Sequence, residues 1–221
     1  MDVEYWTDPF CVWAFVAEPS LERLCARYEG QIVVRHRIVP VFGSVVRRFA
    51  TGAWAAKGPA GRAEVTARVA REHRPDVPVT GQVWIDDPPA SSWSAGLAAK
   101  AVSLLEEAGE APDRAAARYL TAMRHRFFVE NVNLARREAQ LALAEELDLP
   151  VAGIEARLDD GRALAALYED HEDRLAANVS GSPTYLFDGG RTRIYGNFRE
   201  EVLDATVRTY LEGTLGGGSI C

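Results

Sequence analysis

The chain has 221 residues, of which 48% are hydrophobic and 26% are charged, and this composition excludes a disordered or fibrous protein. With 25 Lys and Arg against 32 Asp and Glu, the net charge of −7 disfavours nucleic acid or an anionic membrane surface as a partner. There is no apolar run of about 18 residues and no signal-peptide pattern, and three cysteines make no disulfide framework. We therefore expect a cytoplasmic protein.

The first 40 residues alternate between strand and helix patterns. Residues 2–7 predict a short strand, and residues 12–28 predict a helix with a kink or restart at Pro19. Residues 32–39 predict a second strand. A strand–helix–strand unit predicts a right-handed crossover and a parallel strand pair.

Helical patterns dominate the middle of the chain. Loops are expected over 41–59 and 75–90, where prolines and glycines are frequent. Arg124, His125 and Arg126 are expected on a solvated basic face. Six helices are expected, over residues 62–73, 92–108, 113–129, 133–148, 151–159 and 162–177.

The end of the chain returns to β structure. Residues 184–187 and 192–195 predict two strands, and the Asp-Gly-Gly between them is a good hairpin signal. A closing helix is expected over 197–211, with Asn197 as its cap.

The elements sum to βαβ, a helical insertion, and ββα. We therefore expect one discontinuous α/β domain over residues 1–45 and 175–213, and an all-helical insertion over 46–174. Residues 214–221 form a Gly-rich tail that is expected to be flexible.

Cys11 is the residue with the strongest chemical signal. It follows a strand and begins a helix, where free N–H groups and the helix dipole stabilise a thiolate, the nucleophilic form of cysteine. Phe10 and Trp13 would flank it with apolar surface for a peptide or a flat organic substrate. The alternative is a structural cysteine, since free cysteines are among the most buried residues.

A second feature lies near the other end of the chain. Ser182-Pro183-Thr184 leads directly into a strand, and a proline in this position is a candidate cis-proline. Together with the strand–Cys11–helix arrangement, it resembles the DsbA-like branch of the thioredoxin fold, particularly the cytoplasmic FrnE-type proteins. The resemblance covers nearly the whole chain, including Asp-Pro-Phe-Cys-x-Trp, the insertion with its Phe-Phe-Val-Glu stretch, and Gly-Ser-Pro-Thr-Tyr-Leu-Phe.

The resemblance implies an α/β, thioredoxin-like fold with a large inserted helical subdomain, and thiol–disulfide exchange as the chemistry. By motif position, Cys11 is the attacking thiol, Pro183 is the cis-proline that packs against it, and the backbone of Ser182 pairs with the substrate. Cys11 and Pro183 are thus the expected catalytic residues. The residues expected to bind the substrate are Phe10, Val12, Trp13, Ala14, Ser182 and Thr184.

The sequence departs from the family pattern at two positions. Ala14 stands where the family has the second cysteine of C-x-x-C, and Tyr5 stands where it often has a buried acid. Since Ala14 cannot resolve a mixed disulfide, we expect a monothiol oxidoreductase that uses a low-molecular-weight thiol such as glutathione. No tightly bound cofactor and no metal are expected. Ala14 itself is expected to be partly exposed.

Two other functions fit the same pattern. One is an enzyme similar to glutathione S-transferases and 2-hydroxychromene-2-carboxylate isomerase, acting on a small aromatic substrate. The other is a protein-binding adaptor that has lost dithiol chemistry. For the oxidoreductase, the expected partner is a disulfide-containing protein or small molecule, and the chain is expected to act as a monomer or homodimer.

The other two cysteines have weaker signals. An unbroken helix would place Cys25 about 21 Å from Cys11, far beyond the roughly 7 Å that a disulfide can span, so a core position is expected. Cys221 ends the tail, where an exposed terminus is favoured over a distal resolving thiol.

Overall fold

A computed structural model of the chain describes residues 1–213, and the predicted tail with Cys221 lies outside these residues. The four strands of the described part are β1 Asp2–Thr7, β2 Val33–Ile38, β3 Thr184–Phe187 and β4 Thr192–Tyr195. Its helices are α1 Val12–Arg27, α2 Val45–Ala50, α3 Gly58–His73, α4 Val83–Asp86, α5 Trp93–Glu107, α6 Ala115–Phe128, α7 Arg137–Glu146, α8 Val151–Asp159, α9 Arg162–Ala176 and α10 Glu200–Leu211, with one 3-10 turn over Gly52–Trp54.

The four strands form one mixed sheet in the order β2-β1-β3-β4. β1 runs parallel to β2, with Tyr5 opposite His36, and antiparallel to β3, with Tyr5 opposite Tyr185. β3 and β4 form an antiparallel hairpin that turns through Asp188 and the two glycines after it, all at positive φ. The predicted parallel pair and the predicted hairpin are both confirmed.

The pairing of β1 with β3 brings the two chain ends of interest together. Trp6 lies opposite Thr184 in the register, so the end of β1 meets the beginning of β3. Three residues separate Cys11 from the end of β1, and Pro183 immediately precedes β3. The sheet therefore positions Cys11 next to Pro183.

The two faces of the sheet bury different side chains, because successive strand residues point to opposite sides. Tyr5 and Tyr185 lie on the face that α1 and α10 cover, where Leu24 and Leu203 join the same apolar cluster. On the other face a smaller cluster is made of Trp6, Val39, Val179 and Leu186.

The largest apolar cluster joins the start of α1 to the helices between β2 and β3. Phe10 stacks on Phe127 of α6 with ring centroids 4.2 Å apart, and Trp84 of α4 meets Phe127 edge-on. Phe15 of α1 packs against Phe128. The turn before α1 and the start of α1 thus pack directly against α6, which in turn packs against α4.

Several predicted boundaries need correction. The expected loop over 41–59 contains α2, whose first turn is capped by the hydroxyl of Ser44, as well as the start of α3. The expected loop over 75–90 contains α4. Helices this short span too few residues to show a 3.6-residue apolar repeat, so the sequence pattern did not reveal them.

The ends of the longer helices also differ. α1 is one continuous helix through Pro19, so the predicted restart there is wrong. Val16 before the proline and Leu21 after it are both buried. α10 begins at Glu200 with Arg199 as its N-cap, so the predicted cap at Asn197 is wrong. All six helices predicted for the middle of the chain are present, with ends displaced by up to four residues.

Gly81→Ala tests a close backbone approach between the α3–α4 connection and α3. Gly81 has φ +73°, and a Cβ there would lie 2.5 Å from the carbonyl oxygen of Ala63. The substitution combines left-handed strain with a clash against the backbone, so we expect urea unfolding to show a loss of about 3 kcal/mol. In the control Gly109→Ala, which has φ +69° and open space, only about 1 kcal/mol should be lost. Equal losses would contradict the packing described here.

Candidate active site

Asp8 shapes the turn between β1 and α1. Its buried carboxylate accepts hydrogen bonds from the N–H of Phe10 at 2.7 Å, the N–H of Phe42 at 3.1 Å and the hydroxyl of Ser92 at 2.7 Å. Its carbonyl accepts the N–H of Cys11 at 3.1 Å. Burial raises the pKa of Asp8, and the hydrogen bonds from Ser92 and Phe10 oppose that rise. No local sequence signal marks Asp8, yet its carboxylate connects the turn to a distant loop and to the start of α5.

Cys11 is the N-cap residue of α1, with φ −87° and ψ 114°. Its thiol donates to the carbonyl oxygen of Ser182 at a distance of 3.2 Å, although the two residues are 171 positions apart. The hydroxyl of Ser182 accepts the N–H of Asp8 at 2.9 Å, and the Ser182–Pro183 peptide bond is cis. The structure therefore brings Cys11, Ser182 and Pro183 together.

Only part of the predicted substrate-binding set reaches the surface. Trp13 is 38% exposed, and its ring meets the ring of His73 edge-on at 5.4 Å. Cys11 and Ser182 retain 5% and 8% exposure. A molecule approaching the thiol would therefore meet Trp13 as its main apolar neighbour among the predicted residues.

The other predicted contacts lie beneath the turn. Phe10, Val12 and Ala14 have no exposed surface, and Thr184 is buried with its hydroxyl donating to the carbonyl of Gly181. These side chains fill the core under Cys11 and offer no surface to a substrate in this structure. The expectation that Ala14 is partly exposed is wrong, because the first turn of α1 points it into that core.

A buried ion pair lies on the other side of the turn. Arg124 of α6 is 1% exposed, and it donates to the carboxylate of Glu18 at 2.7 Å and to the hydroxyl of Thr7 at 2.5 Å. The predicted solvated face is therefore wrong for Arg124. The signal that could have revealed this is spacing, since Arg124 shares a helix face with the buried Leu120 and Phe127.

Buried acids are present near Cys11 although Tyr5 replaces the one that the family pattern places on the strand. Burial raises the pKa of Tyr5 to about 12, so its hydroxyl stays neutral. Burial raises the pKa of Glu18 to about 7, and the guanidinium of Arg124 opposes that rise. Arg124 also interacts electrostatically with Tyr5 and Cys11.

A second guanidinium, Arg62 of α3, approaches Cys11 from the other helices. It is 6% exposed, and it lies over the rings of Phe42 at 4.7 Å and Trp84 at 5.2 Å. Burial lowers its pKa to about 10, while the opposite charges of Cys11 and Asp8 raise it. Arg62 is not among the predicted site residues, although its spacing puts it on the same face of α3 as the buried Thr66 and Val69.

Cys25 occupies a different environment from Cys11. It is half-buried, which corrects the predicted core position, and both thiols are free. It lines a cavity of about 390 Å³ together with Tyr5, His36 and Arg124. Burial raises the pKa of the Cys25 thiol.

Residues 1–213 hold no group of three or more His, Cys, Asp and Glu side chains placed to bind a metal ion. Among the helices of this same range, none is long and apolar enough to cross a membrane.

Glu18→Gln tests the buried carboxyl group. Folding raises the pKa of Glu18 from 4.5 to about 7, so the native state binds a proton on this carboxyl group more tightly than the unfolded state does. Protonation therefore stabilises the native state, fully below about pH 4.5, and this contribution is lost as pH rises from about 4.5 to about 7. Gln mimics the neutral acid at every pH. The unfolding free energy of the variant minus that of the parent should therefore rise by on the order of 2 kcal/mol between pH 5 and pH 8.

Urea unfolding at the two pH values measures this difference. Glu22→Gln is the control, since Glu22 is exposed on the same helix. If the unfolding free energies of both variants change with pH as that of the parent does, burial does not raise the pKa of Glu18, and the account of this carboxyl group is wrong.

Comparison with known proteins places the chain in a known family. A family model described as thioredoxin matches residues 5–193. The curated ClpXP adapter protein SpxH of Halalkalibacterium halodurans is 28% identical over 191 residues, and the match covers 85% of this chain but 58% of that relative. The chain thus spans less than two thirds of the length of SpxH.

Two solved structures match over nearly full length. The cytosolic disulfide reductase DsbM of Pseudomonas aeruginosa has a TM-score of 0.64 at 20% identity, covering 99% of this chain and 100% of DsbM, and it has also been solved with GSH. A 2-hydroxychromene-2-carboxylate isomerase has a TM-score of 0.68 at 15% identity, covering 99% and 100%. These similarities confirm the predicted DsbA-like fold, and the family match over residues 5–193 shows that the chain belongs to the thioredoxin family.

Proposed function

We propose that this protein is a thiol–disulfide oxidoreductase in which Cys11 is the single nucleophile and a low-molecular-weight thiol supplies the second sulfur. The observation that carries the proposal is the position of the Cys11 sulfur. It lies at the N-terminus of α1 and 3.2 Å from the carbonyl before Pro183. Two buried guanidinium groups, Arg62 and Arg124, interact with it electrostatically.

In the first step the Cys11 thiolate attacks one sulfur of a substrate disulfide. A bond forms between Cys11 and that sulfur, the substrate disulfide breaks, and the other sulfur leaves as a thiolate. The helix N-terminus and the two guanidinium groups attract the negative charge before the attack. The cis bond to Pro183 directly follows the carbonyl that the sulfur contacts, and the backbone at Ser182 is the edge that an extended substrate would meet.

In the second step the thiolate of a small thiol, such as glutathione, attacks the substrate sulfur of the mixed disulfide. The bond to Cys11 breaks, Cys11 returns as a thiolate, and the substrate leaves joined to the small thiol. Ala14 has no sulfur, so this step cannot be internal at the C-x-x-A motif. The solved DsbM structure with GSH supports glutathione as the thiol.

Two other functions remain alternatives with specific support. The fold similarity to a 2-hydroxychromene-2-carboxylate isomerase favours a conjugation or isomerisation enzyme, with Trp13 beside an aromatic substrate. The relative SpxH favours an adaptor that binds protein through the same face. We place the oxidoreductase first because the free thiol of Cys11 sits at a helix N-terminus, where an adaptor has no need of it.

The proposal also assigns the substrate contacts, the cellular compartment and the roles of the two parts of the chain. Trp13 and the backbone at Ser182 contact the substrate, which is a disulfide-bearing protein or small molecule. The protein works in the reducing cytoplasm, as a monomer or homodimer. Residues 1–45 and 175–213 act as the thioredoxin-like domain, and 46–174 act as the helical insertion that supplies charge to the site.

The first test compares the reactivity of two cysteines in one protein. At pH 7, Cys11 should react with iodoacetamide at least about tenfold faster than Cys25, because a helix N-terminus favours the thiolate whereas burial raises the pKa of Cys25. Peptide mapping after timed labelling gives both rates, and labelling in urea, where the two rates should converge, is the control. If Cys11 labels no faster than Cys25 in the folded protein, the enzymatic functions fail and the adaptor is favoured.

The second test restores the missing thiol. In Ala14→Cys, positions 11 and 14 lie one helical turn apart, so the new thiol should form a reversible disulfide with Cys11 and catalyse insulin reduction. Since Ala14 is fully buried, the added sulfur should lower the unfolding free energy by about 1 kcal/mol.

Ala17→Cys is the matched control for this experiment. Ala17 is equally buried on α1, but it lies about 9 Å from Cys11 along the helix axis, so no disulfide should form. Titration with mixtures of reduced and oxidised glutathione distinguishes the variants. A variant at position 14 that never forms the disulfide would show that the groove has lost thiol exchange.

A further inference from the structure

Two neighbouring arginines of α2 and α3 form no direct ion pair with an acidic side chain in the described part of the chain. Arg62 of α3 and Arg48 of α2 lie over the same ring, that of Phe42, at 4.7 and 5.0 Å. The Nε atoms of both are buried without a hydrogen-bond partner. Within residues 1–213, neither side chain forms an ion pair or a hydrogen bond with another residue.

The other deeply buried arginines of this chain are paired. Arg124 is bound by Glu18 and Thr7, and Arg157 is bound by Glu110. Buried charges are almost always paired, since an unpaired one loses its hydration without compensation. Arg62 is the exception among the deeply buried arginines of the described chain, even though acidic residues outnumber basic ones by 32 to 25.

The aromatic rings around Arg62 stabilise its charge but accept no hydrogen bonds from its in-plane N–H groups. The rings of Phe42, Trp84 and Trp54 stabilise its positive charge from the side. The five N–H donors of a guanidinium point outward in its plane, so stacking on rings leaves them without acceptors. Arg48 adds a second positive charge close by, which lowers the pKa of Arg62 further than burial alone.

The guanidinium groups of Arg48 and Arg62 are connected to the turn before Cys11 through Phe42. The N–H of Phe42, whose ring carries both guanidinium groups, donates to Asp8 in the turn before Cys11. Arg62 interacts electrostatically with both Cys11 and Asp8. Through Phe42 and Asp8, the two guanidinium groups are thus linked to the turn that carries Cys11.

We propose that Arg62 and Arg48 form an anion subsite that receives a carboxylate of the molecule that reacts at Cys11. A carboxylate matches the planar donor fork of a guanidinium and would supply the missing counter-charge. The inference rests on the proposed thiol–disulfide exchange and specifies its substrate class. That class is a disulfide or thiol that carries a carboxylate near its sulfur.

The experiment compares an anionic and a neutral aromatic disulfide. In a Cys25→Ser, Cys221→Ser background, only Cys11 reacts, and its rates with dithiobis(nitrobenzoate) and with uncharged dithiodipyridine are measured at one pH and ionic strength. The neutral reagent reports any effect of Arg62 on the Cys11 thiolate itself, so the ratio of the anionic rate to the neutral rate isolates the subsite. Arg62→Met should lower this ratio by about tenfold, the size expected for one charge-assisted hydrogen bond. Arg48→Met should lower the ratio less, since Arg48 is only half-buried.

Two control variants separate charge from structure. Arg62→Lys keeps the charge but not the planar fork, and should lie between the parent and Arg62→Met. Arg68→Met changes an exposed arginine of the same helix that pairs with Glu72, and should leave both rates unchanged.

The outcomes distinguish this proposal from the function on which it rests. If both reagents slow equally, Arg62 acts on the Cys11 thiolate alone and the subsite is wrong; unchanged rates also overturn it. If parent Cys11 reacts with neither reagent, the oxidoreductase proposal itself fails. Should Arg62→Met not fold, added benzoate must slow the neutral reagent saturably in the parent, and an absence of such slowing would overturn the subsite.

Discussion

The buried carboxylate of Asp8 is the constraint on which the rest of the site depends. It accepts hydrogen bonds from Phe10 in its own turn, from Phe42 after β2 and from Ser92 at the start of α5. The N–H of Asp8 in turn donates to the hydroxyl of Ser182, whose carbonyl accepts the Cys11 thiol. One residue thus fixes four segments around one sulfur, and an unpaired acceptor in this place would cost about 1–3 kcal/mol.

The sheet and the helices contribute different things to this site. β1 and β3 determine where Cys11 and Pro183 lie, because their register is set by paired strands and by the apolar face under α1 and α10. The helices between β2 and β3 supply two buried guanidinium groups, Arg62 from α3 and Arg124 from α6. The position of Cys11 and the buried positive charge therefore come from different parts of the chain.

The sequence predicts those features that have a local signature. The strand–Cys11–helix order, the proline before β3 and the Asp-Gly-Gly turn all lie within a few residues, and the strands and longer helices follow from their periodicity. The contacts of Arg124 and Asp8 could not be predicted in the same way, because their partners are distant in sequence: Arg124 meets Glu18 across 106 positions. Among the described residues Arg62 has no such partner, and it packs on the rings of Phe42 and Trp84, which lie outside its own helix. The short helices α2 and α4 fall below the length at which a repeat is visible.

The central claim is that the Cys11 thiolate attacks a disulfide and that a small thiol then releases Cys11 from the mixed disulfide, with oxidised glutathione serving as the disulfide in the test. Treatment of the native protein with oxidised glutathione, followed by intact mass and peptide mapping, tests this directly. The predicted result is one glutathione per chain, located on Cys11 and removed by reduced glutathione, and a Cys11→Ser variant should gain no glutathione under the same conditions. An adduct confined to Cys25 or Cys221, or no adduct on the folded protein, would contradict the claim.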